Sequence, residues 1–188
     1  SEEDIMRKIR FAAIPLIICI IGLYADILCF AQDGPTPEEY EAYEKASQEK
    51  DTTAKQKLIL DFIQKYKKST LDPNIAYEYA KLYTGYRAKG AWQAMADAAE
   101  RYLTHRPSDQ ASILAASESY QKLGNPQKLV AFGTKLYSQA PNANTAYFVA
   151  KAYQSLKDGQ NFLTWAERTI KHDPNNLDML TELITMYW

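Results

Sequence analysis

The sequence predicts an all-α chain in which antiparallel helix pairs stack side by side, and three observations predict it. Prolines stand at Pro73, Pro107, Pro141 and Pro174, spaced 34, 34 and 33 residues apart. Tyr86, Tyr120, Tyr153 and Tyr187 keep the same period, at 34, 33 and 34 residues. Apolar residues recur at three- and four-residue steps, as in Tyr79, Leu82, Tyr83 and Tyr86, or Ile113, Ala116, Tyr120 and Leu123. Such steps mark a helix buried along one face. A fixed period of about 34 is that of a two-helix repeat array, because one pair cannot bury its apolar stripe without a neighbour.

Residues 1–31 form an apolar leader. Arg7, Lys8 and Arg10 precede the run Phe11 to Ala25, which Asp26 interrupts and Ile27–Ala31 resumes. Two readings stand. A basic start before an apolar run is the pattern of an export signal, and Cys29-Phe30-Ala31 ahead of Gln32-Asp33 offers small residues at a cleavage site. As an uncleaved N-terminal helix, residues 11–31 would span about 30 Å, one hydrocarbon core, with Asp26 needing a protein partner in the bilayer. In either reading the basic flank stays cytoplasmic and the chain from Gln32 onward is exported. The body is then expected in the periplasm or another extracytoplasmic space, free or tethered to the inner membrane by residues 11–31.

Residues 32–37, Gln-Asp-Gly-Pro-Thr-Pro, form a linker that no helix can cross. Thr36 is placed to cap the next helix, with Pro37 at its first position and Glu38 and Glu39 in its first turn. Residues 38–188 are the repeat domain. Glu38–Lys50 pairs with Thr53–Ser69, and Asn74–Ala88 with Trp92–His105 through Gly90. Asp109–Leu123 pairs with Gln127–Gln139 through Gly124-Asn125-Pro126, and Asn144–Lys157 with Asn161–His172 through Asp158-Gly159. Asn176–Trp188 opens a fifth pair. Glycine or Asn-Pro ends the first helix of a pair, and proline punctuates the joins between pairs.

Composition narrows the function. The chain carries 22 basic and 23 acidic residues, a net charge of −1; three of the basic and four of the acidic ones lie in 1–31, which leaves 19 of each beyond it. That balance gives no basic stripe for nucleic acid. The lysines between Lys45 and Lys68 alternate with Glu44, Glu49, Asp51 and Asp61, as on a solvated helix face. Both cysteines, Cys19 and Cys29, fall in the leader, so the body has no thiol for a disulfide, a nucleophile or a zinc site.

No catalytic, cofactor or metal residues are assigned. His105 and His172 stand before Arg-Pro and Asp-Pro at matching repeat positions, where a cation-capable ring suits a helix C-terminus. Ser119-Tyr120-Gln121-Lys122 has the spacing of a serine–lysine hydrolase, yet Tyr120 is a core repeat residue. No glycine-rich phosphate loop is present.

The periodic residues give the chain a resemblance to the tetratricopeptide repeat family, of an exported or membrane-anchored bacterial type, over residues 38–188. The second repeat supplies Tyr79, Leu82, Tyr86, Gly90 and Pro107, with Tyr83 in place of a small residue. The third supplies Ile113, Ala116, Ser117, Tyr120, Gly124 and Pro141; the fourth Val149, Ala150, Tyr153 and Pro174; the fifth Leu180, Leu183 and Tyr187. The first is the loosest, resting on Tyr43 and Leu60–Tyr66. Met95 and Phe162 stand where the family prefers alanine, and Ala99, Gly133 and Ala166 where it prefers an aromatic, so large and small are exchanged within the second helices. The resemblance implies a right-handed α-solenoid of about four repeats plus a fifth first helix.

It also implies a concave groove lined by the first helices, whose residues here are Tyr77, Thr84, Arg87, Leu114, Glu118, Gln121, Lys122, Asn144, Tyr147, Lys151 and Gln154. That surface suits a protein partner, as an extended peptide or a helix. A basic clamp for peptide carboxylates is not expected, since Leu114 and Glu118 occupy its places. The function expected is a non-enzymatic protein-binding scaffold, an accessory subunit of a membrane-associated complex. Two alternatives stay open: a periplasmic assembly or quality-control factor for client peptides, and the accessory module of a longer enzyme. Leu177, Met179, Leu180, Leu183, Ile184, Met186, Tyr187 and Trp188 make the last helix apolar nearly all round, so continuing chain or a partner is expected to cover it.

Overall fold

The computed structural model describes residues 34–187; the expected export signal or membrane anchor lies outside them. Among the described residues there are nine α-helices and no strand: α1 Pro37–Gln48, α2 Thr52–Lys65, α3 Asp72–Ala88, α4 Trp92–Leu103, α5 Gln110–Lys122, α6 Pro126–Gln139, α7 Ala143–Ser155, α8 Gly159–His172 and α9 Leu177–Tyr187. None of them is long and apolar enough to cross a membrane.

Local chemistry starts most of these helices. Thr36 and Glu39 form a reciprocal capping box, with Pro37 in the first turn. Asp51, Asp109, Asn125, Asn142, Asp158 and Asn176 each accept a hydrogen bond from the amide three residues on, satisfying one free amide at the start of α2, α5, α6, α7, α8 and α9.

The helices end by a repeated device. Gly90 and Gly124 adopt left-handed backbone at φ 62°, and Lys157 does so at φ 58°. The residue after each donates its amide to a carbonyl five positions back: Ala91 to Tyr86, Asn125 to Tyr120 and Asp158 to Tyr153. This is the Schellman closure of a helix end. The periodic tyrosines are therefore the residues whose carbonyls close the turn within each pair.

Some expected boundaries move. α2 ends at Lys65 rather than Ser69, because Tyr66 leaves the helical region at φ −113°, ψ 64°. α3 starts at Asp72, so Pro73 sits inside its first turn, where a missing N–H costs nothing. Pro126 opens α6 in the same way, and Gly159 opens α8 behind the Asp158 cap. The periodic prolines thus hold two structural roles, with Pro107, Pro141 and Pro174 in the joins. His105 falls in the turn after α4, not at its end.

Each helix packs on the next in chain order, and α1 with α3, α3 with α5, and α5 with α7 also touch. One apolar cluster runs from Ala46 to Leu136 and another joins Ala146, Val149, Phe162, Trp165 and Met179 across α7, α8 and α9. A third, Ala96, Tyr120, Leu129 and Ala152, spans α4 to α7. The size exchange within the second helices is visible here: Met95 and Phe162 are fully buried beside equally buried Ala99 and Ala166. At Gly133 the exchange is tightest, since a Cβ there would stand 2.4 Å from a γ-methyl of Val149. Tyr83, oversized for its repeat position, is buried with its hydroxyl 2.7 Å from that of buried Ser112 on α5.

Candidate functional site

The eleven predicted partner-contacting residues lie on α3, α5 and α7, and all of them are exposed or half-buried. Their helices neighbour one another, so they form one strip. Tyr77 is 65% and Leu114 51% exposed, unusual for side chains of that size. Thr84, Gln121 and Lys122 are open to solvent, while Asn144 and Tyr147 are half-buried. Tyr147 packs edge-on to Phe148 at 5.5 Å and rests on the C-terminal apolar cluster.

The charged members are brought into pairs. Arg87 donates from Nε to both oxygens of Glu118 at 3.1 Å, and from Nη2 to one of them at 2.6 Å. The Arg87 hydrogen bond holds the Glu118 carboxyl below its ordinary value, against a smaller opposing effect of burial. Lys151 and Gln154 converge on Glu182 of α9. Hydrogen bonding from Lys151 likewise holds Glu182 down, with burial opposing. Lys122 lies over the Trp92 ring at 5.8 Å from its centre, and Gln121 reaches Ser117.

Sequence reasoning missed Glu182 and a second cluster beside Tyr77. Glu78 is almost wholly buried and accepts from Lys55 of α2 at 2.7 Å and from Lys81 at 2.5 Å. Burial pushes its carboxyl upward, but the hydrogen bonds from Lys55 and Lys81 outweigh that and leave it below the ordinary value. Lys55 also bonds the Ser47 carbonyl at the end of α1, and Lys81 stands 4.6 Å from the Tyr77 ring centre. One signal was present for Glu182: it follows Lys151 by the same interval that separates Glu118 from Arg87.

Beside the strip, α5, α6 and α7 enclose a mostly apolar pocket of about 140 Å³, with Gln121, Lys151 and Ser155 on its wall. The serine–lysine spacing builds no reactive pair: Ser119 is fully buried and donates to the Ala115 carbonyl, while Lys122 lies on the open face. Of the histidines, His172 bonds the Tyr137 hydroxyl at 2.8 Å and His105 meets the Gln64 amide at 3.3 Å. Among the described residues no group of three or more His, Cys, Asp or Glu is placed to hold a metal ion. No protein-family model matches the chain, and a search of curated proteins finds no match either.

Proposed function

We propose that this chain is a non-enzymatic, exported protein-binding scaffold, a right-handed α-solenoid of the tetratricopeptide type that serves as an accessory subunit of a membrane-associated complex. One observation carries the reading: three neighbouring first helices present a continuous strip on which Tyr77 and Leu114 stay open to solvent although the rest of the chain buries its large apolar residues. Exposed aromatic and aliphatic anchors within a polar surround are what a protein interface needs. The recurrence of the left-handed turn at Gly90, Gly124 and Lys157 supports the repeat architecture. Export rests on the leader's charge and apolar pattern.

The test is crosslinking and affinity purification of the full chain from membranes in mild detergent. The wild-type chain is expected to retain a stoichiometric protein partner. A Tyr77→Ser, Leu114→Ser chain of unchanged helicity is expected to lose it. Lys151 is a poorer choice of test position, because its loss would also strip Glu182 of its cation. Full retention by the double variant would remove the strip from the interface.

A further inference from the structure

We infer that the occupant of this strip is an extended, uncharged peptide segment carrying an apolar side chain at about every third residue. The inference rests on the scaffold reading above and adds the chemistry of the partner.

The first argument is electrostatic. The ionised groups of the strip are paired within it: Arg87 with Glu118, Lys151 with Glu182, and Lys81 with Glu78. An incoming carboxylate or ammonium would have to separate one of these pairs, and a bidentate guanidinium–carboxylate contact is the hardest to displace. Lys122, which rests over Trp92, leaves little charge to steer a partner. A neutral segment meets no such cost.

The second argument is spacing. Successive first helices each offer an apolar anchor: Tyr77 on α3, Leu114 on α5 and half-buried Tyr147 on α7, followed by Leu177 and Ile184 on α9, which are 75% and 60% exposed. Packed helices lie about 8–10 Å apart. An extended chain advances about 3.3 Å per residue, so roughly three residues separate side chains that reach neighbouring anchors.

The third argument is hydrogen bonding. Thr84, Gln121 and Asn144 set uncharged donors and acceptors among the anchors. An extended backbone, unlike a helix, arrives with unpaired N–H and C=O groups that these side chains can meet.

Fluorescence anisotropy on the full chain in mild detergent tests this with labelled peptides of about ten residues. The primary probe has Leu at every third position with Ser and Gln between. Three others compare with it: the same composition with Leu at every second position, Asp in place of Ser, and a heptad peptide that folds as an amphipathic helix. The period-three probe is expected to bind tightest, with affinity changing less than about twofold between roughly 50 and 500 mM salt. Leu114→Ser is expected to weaken it about tenfold.

Tighter binding of the acidic, period-two or helical probe overturns the inference. So does steep salt dependence, or no binding of any probe. The scaffold reading has its own readout, because it falls only if the Tyr77→Ser, Leu114→Ser chain keeps its co-purifying partner.

Discussion

Arg87 and Glu118 lie 31 residues apart and meet in a bidentate ion pair, and Lys151 meets Glu182 across the same interval. Three residues short of a full repeat is about one helical turn, so each pair slants from one first helix to an earlier level of a following one. Such pairs fix the relative slide of neighbouring helices. Arg87 is nearly half exposed, so the coupling is modest. A double-mutant cycle on Arg87→Ala and Glu118→Ala is expected to give about 0.2–1 kcal/mol in urea unfolding, falling with added salt. Zero coupling at low salt would leave the two side chains as passive neighbours.

The same pairs set an acid limit. Glu118 and Glu182 are held below the ordinary carboxylate value by their cationic partners, and Glu78 by Lys55 and Lys81 against its burial. A carboxyl that ionises more readily in the fold stabilises the fold above its unfolded value of about 4.3. That stabilisation is lost as pH falls through the lower folded value. The Tm gap between wild type and Glu118→Gln is therefore expected to be constant from about pH 7 to 5 and to close toward about pH 3. Glu100 has the opposite sign, since burial raises its carboxyl and one of its oxygens is buried without a hydrogen-bond partner. Glu100→Gln is expected to raise Tm at neutral pH, with the gain fading on acidification. A Glu118→Gln gap that widens in acid would contradict the assignment.

Gly133 is a mid-helix glycine that ordinarily invites stabilisation by alanine, worth about 1 kcal/mol in helix propensity. Here the added methyl meets Val149, which is fully buried and stiff at its branched Cβ. Overpacking of this kind costs about 1–3 kcal/mol and outweighs the propensity gain. Gly133→Ala is expected to lower the urea midpoint, and Val149→Ala added to it is expected to cost less than Val149→Ala alone. An increase in stability for Gly133→Ala by itself would show that α6 and α7 can part at this point.

Two buried tyrosines should respond oppositely to loss of their hydroxyls. Tyr79 accepts from Gln56 at 2.8 Å and donates to the Ala98 carbonyl at 2.8 Å, tying α2 to α4, and burial, the largest influence, pushes its phenol up to about 12. Tyr79→Phe strands both partners and is expected to cost about 1–3 kcal/mol. The Tyr120 hydroxyl is buried without a partner in the fold. Tyr120→Phe is expected to be neutral or to raise Tm slightly. Equal losses in thermal unfolding would defeat the distinction.

What could be read from the sequence was whatever repeats. The helix order, the pairing and the Gly90 and Gly124 turns all follow from period and local caps, because those signals are short-range. The periodic tyrosine was legible as a core residue, but its carbonyl's part in closing the turn was not, since backbone acceptors leave no side-chain signature. Glu78 was illegible for a different reason: its cations come from α2 and α3, and nothing in a single helix's pattern says that Lys55 and Lys81 converge. Pro73 misled, because the shared period with Pro107 suggested a shared role while the chain places it inside α3.

Lys157 shows the same limit and offers the sharpest test. It occupies the turn position that Gly90 and Gly124 fill, 33 residues beyond Gly124, at φ 58°. The expected turn was Asp158-Gly159, yet Gly159 belongs to α8 and the left-handed residue carries a side chain. Left-handed backbone costs an L-residue with a Cβ about 1 kcal/mol relative to glycine. The Lys157 side chain is exposed, so little packing is lost on removing it. Glycine's greater unfolded-state freedom offsets part of the gain. Lys157→Gly is expected to stabilise the chain by roughly 0.5 kcal/mol, and Gly124→Ala to destabilise it by about 1 kcal/mol, both measured by urea unfolding at constant m-value. Should Lys157→Gly destabilise instead, the third turn would not be the equivalent of the first two.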